Sequence, residues 1–182
     1  MVPPGYVRTG VEVLRDTGAD NVGGIMAAEG TTEFERGVAR AMTSRFGVGG
    51  AAFHVGGEPG PALTVYLGCF QRSALERVGG YDDSMERAQD WEMNLRIRQS
   101  GGVVWFTPDM HVTYRPRPNL KALARQYHDY GRWRREVMRR HPHQPGQATV
   151  SGPSLLTLRP PPTSPPSPSP TRPPSCPPTA SG

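Results

Sequence analysis

Apolar residues recur along the chain with two alternating periods, and the switches between them mark the elements. Val7, Val11 and Leu14 stand at i, i+4 and i+7 with Gly18 just beyond, which predicts a short amphipathic helix closed by a C-cap glycine. Residues 21–27 read as a buried strand. Thr32 and Glu35 have capping-box spacing, and Phe34, Val38 and Met42 continue at helical spacing, so a second helix is expected to reach about Arg45. A glycine-rich loop follows over 47–60. Residues 63–70, rich in β-branched and aromatic side chains, predict the best strand of the chain. Ser73 and Glu76 suggest a further capping box, with Leu75 and Val78 facing inward and Gly79-Gly80 ending the helix. Beyond the turn Tyr81-Asp82-Asp83, a helix is expected from about Asp90, as N-cap, to Gln99, stopped by Gly101-Gly102. Residues 103–107 predict a strand ended by Pro108, and 111–114 another ended by Pro116. The last helix spans 120–140, with Leu120, Leu123, Tyr127, Tyr130 and Val137 as its apolar stripe. The class is α/β, and no spacing of motifs repeats.

Composition divides the chain unequally. Of its 21 prolines 14 fall in residues 142–182, which hold no aromatic residue and seven hydrophobic ones, too few to repay the entropy of ordering. Residues 1–141 are expected to form one compact portion, and 142–182 a disordered Pro/Ser/Thr-rich tail; GC-rich DNA read in a shifted frame gives the same composition. The longest nearly apolar run, 62–70, is half the roughly 18 residues a spanning helix needs. The opening Met-Val-Pro-Pro-Gly-Tyr lacks the basic and apolar segments of a signal peptide. Cys69 and Cys176 make neither a disulfide framework nor a zinc site, so a reducing, cytoplasmic setting is expected.

Charge changes sign along the chain. Residues 1–114 carry 10 Arg against 14 acids, net −4, whereas 115–141 carry eight Arg and Lys121 against two acids, net +7. The last helix, with Arg132, Trp133, Arg134, Arg135, Arg139 and Arg140, is thus suited to an anionic membrane surface or to phosphates, or is simply a solvated face. Nucleic acid is not an expected partner, because the rest is acidic and no nucleic-acid motif occurs. Gly47-Val48-Gly49-Gly50-Ala51-Ala52 matches G-x-G-x-x-A but follows a helix instead of a strand, so a mobile surface loop is the better reading. His54, His111, His128, His141 and His143 are scattered without metal-ligand spacing, His111 keeping a residual chance of ligation. Asp82, Asp83, Glu86, Asp90 and Glu92 gather near a helix start, which favours ionised carboxylates either as dipole-stabilising charges or as a general base.

From residue 65 to 108 the text VYLGCFQRSALERVGGYDDSMERAQDWEMNLRIRQSGGVVWFTP resembles the central and later part of inverting family 2 glycosyltransferases of the succinoglycan-biosynthesis type. The resemblance rests on a strand carrying Gly68, on Arg72 before a short helix, on Gly79-Gly80-Tyr81-Asp82, and on Gln89-Asp90, Glu92, Arg96 and Gly101 in that order. It extends more weakly outward, through 19–57 and through 112–140. It implies a partial GT-A fold, membrane association, and transfer of a sugar from a nucleotide-diphospho-sugar to a polysaccharide or lipid-linked saccharide with inversion. Asp90 takes the position of the base, Glu92 that of a supporting acid. Gln89, Trp91, Gly68, Arg72, Arg132 and Trp133 are the implied substrate-binding residues, the last two ending a Q-x-x-R-W motif. Asp129 replaces that motif's glutamine, Gln71 the first of two common arginines, and Leu63 a common Asp.

The family domain is expected to use a divalent metal, Mg or Mn, held by a D-x-D-type motif that this chain lacks. The expectation is therefore an acceptor-side half that begins after the nucleotide-binding strands and is inactive alone. It would lie peripherally at the inner face of the plasma membrane, touching anionic lipid through residues 120–140. A non-catalytic membrane-surface or adaptor module, using the basic helix and the Pro-rich tail, is the alternative.

Overall fold

The computed structural model describes residues 2–44 and 51–142; the start of the glycine loop, His143 and nearly all of the tail lie outside them. The described chain runs α1 (Tyr6–Thr17), β1 (Asn21–Ala28), α2 (Glu33–Met42), α3 (Ala52–Val55), β2 (Gly60–Pro61), β3 (Tyr66–Phe70), α4 (Arg72–Val78), α5 (Gln89–Gln99), β4 (Val104–Tyr114) and α6 (Leu120–Arg140). The four strands form one mixed sheet in the order β2-β4-β1-β3, with β1 parallel to β4 and the other two pairings antiparallel. This is the α/β class that the alternating periods predict.

One sheet face is covered by α1 through Tyr6, Leu14, Val22, Met110 and Val112. The other is covered by α4 and α5, where Met93 and Ile97 meet Val104, Phe106 and Val65. A third cluster, Met85, Leu95 and Val137 with Trp91 and Trp133, fastens α6 to α5.

The two expected strands on either side of Pro108 are a single element, β4, paired to β1 in two stretches. Gly23 lies opposite Phe106 and Ile25 opposite His111, so β4 advances five residues while β1 advances two. Three extra residues is an odd number, and the pleat therefore inverts across Pro108. Val104 and Phe106 face α5, whereas Met110 and Val112 face α1. Pro108 is tolerated because the bulge asks no ladder hydrogen bond of it. Gly24 admits the bulge: a Cβ there would lie 1.7 Å from the Met110 carbonyl oxygen.

Several faces differ from the periodic reading. The inner side of α1 is Tyr6, Gly10 and Leu14, while Val7 and Val11 are exposed, because a glycine that packs closely carries no hydrophobic signal. In α2 the capping box forms as expected, but Glu35, Ala39 and Met42 face inward and Phe34 outward, and the helix stops at Met42. The Glu35 carboxylate accepts hydrogen bonds from Thr31 and Thr32, which lower its pKa. The second capping box is absent. Gln71 caps α4 without a side-chain bond and instead donates Nε2–H to the Ala19 carbonyl at 2.8 Å. The expected glycine loop contains the single turn α3 and the two-residue β2, and the strand expected over 63–70 begins only at Tyr66. Leu67 within it has φ 46, and its carbonyl accepts the Tyr6 hydroxyl at 2.7 Å. On α6 only Gln126 and Val137 are buried; Leu120, Tyr127 and Tyr130 are exposed.

Candidate active site

The start of α5 is set by Ala88, whose left-handed backbone (φ 61) turns the chain into the helix without a side-chain cap. Asp90 is thus not the N-cap but sits one residue inside, in a first turn whose free amides favour negative charge. Its carboxylate is exposed and accepts a hydrogen bond from the Tyr81 hydroxyl at 3.1 Å. Burial, then the Asp90 charge and this bond, push the Tyr81 hydroxyl up to about 12, so it remains a donor throughout the neutral range. The Phe70 ring packs edge-on against Tyr81 at 6.2 Å and fixes it.

A second tyrosine, Tyr66, lies within range of this carboxylate's charge, and Tyr114 and Tyr130 lie beyond it. The Tyr66 hydroxyl is raised by burial first, then by Tyr114, Tyr130 and the Asp90 charge, and its ring meets Tyr114 edge-on at 6.4 Å. Buried Gln126 of α6 donates Nε2–H to the hydroxyls of Tyr114 at 3.1 Å and Tyr130 at 3.0 Å, while its Oε1 accepts from Arg117 at 2.6 Å. Rings with apolar faces and polar tips, two of them close to an exposed carboxylate, suit a ligand that has both kinds of surface.

Glu92 has a different role. It is buried and accepts two hydrogen bonds, both 2.7 Å, from Arg96, which also donates to the carbonyls of Gly80 (2.7 Å) and Val78. His141, just past α6, closes on the same carboxylate at 3.1 Å. This group clamps the Gly79-Gly80 turn and the end of α6 onto α5, and it lines a shallow cleft of about 410 Å³. All three contacts shown for its carboxylate serve the fold.

The other residues singled out in the sequence occupy varied places. Gln89 donates to the Met85 carbonyl. Trp91 and Trp133 are half-buried in the seam between α5 and α6, with the Arg134 guanidinium 5.3 Å from the Trp91 ring and that of Arg132 5.6 Å from the Trp133 ring. Arg72 is almost wholly exposed and pairs only with Glu76 at 3.4 Å. Gly68 lies against buried Asn21, whose Nδ2–H donates to the Asn94 Oδ1 at 2.6 Å; Asn94 in turn donates to Thr64 at 2.9 Å. Asn94 therefore serves the interior and not the face of Asp90. His111 is exposed, and among the described residues no three of His, Cys, Asp and Glu are grouped to hold a metal. Tyr66, Tyr114 and Gln126 have no place among the site residues expected from the sequence, and Tyr81 appears there only as part of the Gly79-Gly80-Tyr81-Asp82 motif. Beside that motif, the signal for the rest was Gln126 itself, a polar residue four before Tyr130 on the inner side of a helix.

No family model matches the chain, and no solved structure matches it. Over 144 residues it is 33% identical to the succinoglycan biosynthesis protein ExoA of Rhizobium meliloti (strain 1021). The matched stretch is 79% of this chain and 44% of that relative, so the chain spans less than half of the relative's length. No helix among the described residues is long and apolar enough to cross a membrane. Over most of its length the chain is thus similar to part of a succinoglycan biosynthesis protein.

Proposed function

We propose that this chain is the acceptor-side portion of a GT-A glycosyltransferase. It would transfer a sugar, with inversion, from a nucleotide-diphospho-sugar to a polysaccharide or lipid-linked saccharide. The observation that carries the reading is Asp90: an exposed carboxylate in a helix's first turn, oriented by Tyr81 and close enough to Tyr66 to act on its hydroxyl, in a chain similar to a succinoglycan biosynthesis protein. In the proposed step the Asp90 carboxylate takes the proton of an acceptor hydroxyl as that oxygen attacks the anomeric carbon, and the nucleoside diphosphate leaves from the opposite face. Glu92 keeps the α5 start in place and takes no proton. Among the described residues no three of His, Cys, Asp and Glu are grouped to hold the Mg or Mn expected of the full domain.

The test is sugar transfer by this chain joined to a nucleotide-binding half of the same type. Asp90→Asn should cut turnover roughly 10²-fold or more while leaving donor binding intact. Normal turnover by Asp90→Asn, with Glu92→Gln inactive yet as stable as the parent, would refute the assignment. Docking at the cytoplasmic membrane surface is proposed for α6, whose Leu120, Tyr127 and Met138 are exposed among basic residues. Co-sedimentation with anionic but not neutral vesicles, weakened by salt, checks that part.

A further inference from the structure

A groove of about 480 Å³ lies between Arg87, in the segment before α5, and the first turns of α6. Arg87, Arg117, Lys121 and Arg125 line it, and the one acid in its lining is Asp129. Four positive charges against one negative leave three uncompensated. The pairings within it are loose: Arg87 reaches Asp129 at 3.8 Å with both side chains partly exposed, and Asp129 is also shared with His128. Arg117 spends its Nε–H on the neutral Gln126. Among the described residues Lys121 and Arg125 have no ion-pair partner. Like charges brought together without counter-charges cost free energy unless an anion joins them.

The groove also communicates with the carboxylate described above. Gln126 bonds Arg117 with one end of its amide and Tyr130 with the other, and the positive charges of Arg117 and Arg87 partly offset the upward push of burial on the Tyr130 hydroxyl. An anion held here would sit beside Gln126, whose amide bonds the hydroxyls of Tyr114 and Tyr130. The cluster is formed of arginines from three places in the chain plus one lysine, a donor set that can meet several oxygens from different directions.

We propose that this groove binds a diphosphate group of the reacting substrates. The inference rests on the glycosyltransferase reading and deepens it by assigning a phosphorylated substrate to Arg87, Arg117, Lys121 and Arg125. Two sources have this chemistry, the nucleoside diphosphate of the donor and a lipid diphosphate carrying the acceptor saccharide.

Titration calorimetry on the full chain at low salt, with inorganic pyrophosphate, uridine diphosphate and geranyl diphosphate as probes, tests the assignment. Lys121→Gln/Arg125→Gln removes two cations that bond nothing in the fold. It should weaken diphosphate binding at least about 10-fold with an unchanged melting temperature. The control Arg8→Gln/Arg15→Gln on α1 removes the same charge elsewhere and should change binding less than about 2-fold. Tighter binding of geranyl diphosphate than of uridine diphosphate assigns the groove to the acceptor's carrier, and the reverse order assigns it to the donor. Equal losses in the two double variants, unchanged binding in the first, or binding to anionic vesicles alone would each overturn the proposal. Because no turnover is measured, Asp90→Asn should bind these probes as the parent does, so failure of the catalytic reading leaves a distinct signature.

Discussion

Replacing Gly68 by alanine would put a methyl group 2.1 Å from the Asn21 Oδ1 and 2.7 Å from its Cγ and Nδ2, all well inside contact distance. Asn21 is fully buried, so its amide can yield only by rotating away from Asn94 and breaking a 2.6 Å hydrogen bond. Overpacking of this kind costs about 1–3 kcal/mol. Leaving the buried Asn94 oxygen without its donor adds about 1–3 kcal/mol. The expected loss is therefore about 2–6 kcal/mol, a large part of the roughly 5–15 kcal/mol that holds a typical domain. Urea unfolding of Gly68→Ala, Asn21→Ala and the double variant measures it. Once Asn21 is shortened the added methyl has nothing to displace, so the double variant should be little worse than Asn21→Ala alone, a coupling of about 2 kcal/mol or more. A loss below about 0.5 kcal/mol for Gly68→Ala, or strict additivity, would refute the packing account. In that case the glycine's role as a substrate contact, implied by the resemblance, would stand in its place.

Glu92→Gln should lose about 3–5 kcal/mol in urea unfolding, because Arg96 is left in a largely buried site with only backbone carbonyls; unchanged stability would return Glu92 to the list of possible bases. Tyr81→Phe removes the one hydroxyl that orients Asp90 and should lower kcat of the joined enzyme roughly 10-fold with little change in stability. The Glu136 carboxyl is held at about 2 by hydrogen bonds from Arg139 and Arg140, then by their charges. A lowered carboxyl pKa means that this support is full above the ordinary value of 4.5, declines below it, and is gone once pH falls through about 2. Acid titration followed by Trp133 fluorescence should show that decline in the parent and not in Glu136→Gln.

The periods of the sequence located the long helices and β1, and found β4 as two pieces, because helix and strand repeats survive wherever one face is covered by another element and are interrupted where the pleat inverts. What they misjudged was which residues turn inward. Gly10 and Ala39 are core positions with almost no hydrophobic signal, whereas Val7 and Phe34 carry a strong one and face solvent. The capping boxes show the same limit: Thr32 with Glu35 forms one, while Ser73 with Glu76, at equal spacing, does not, since Gln71 already supplies the cap position. Within the site, the likeness over 65–108 pointed to Asp90, but its hydroxyl partner Tyr81 comes from the turn before α5 and the other tyrosines from β3, β4 and α6. Their convergence depends on the pleat inversion at Pro108 and on the way α6 returns across α5. Neither is written in local spacing.

The kink at Leu67 protects the molecule against its own kind. β3 is the outermost strand on its side of the sheet, and an outer strand of regular pleat is a template on which a second chain can pair and aggregate. Leu67 interrupts that template with a left-handed residue, and the Tyr6 hydroxyl takes its carbonyl before any neighbouring chain can. Burial holds that hydroxyl up at about 12, so the guard persists into strongly alkaline solution. Solubility of this fold is therefore controlled in part by a helix residue sixty-one positions away from the strand residue it guards.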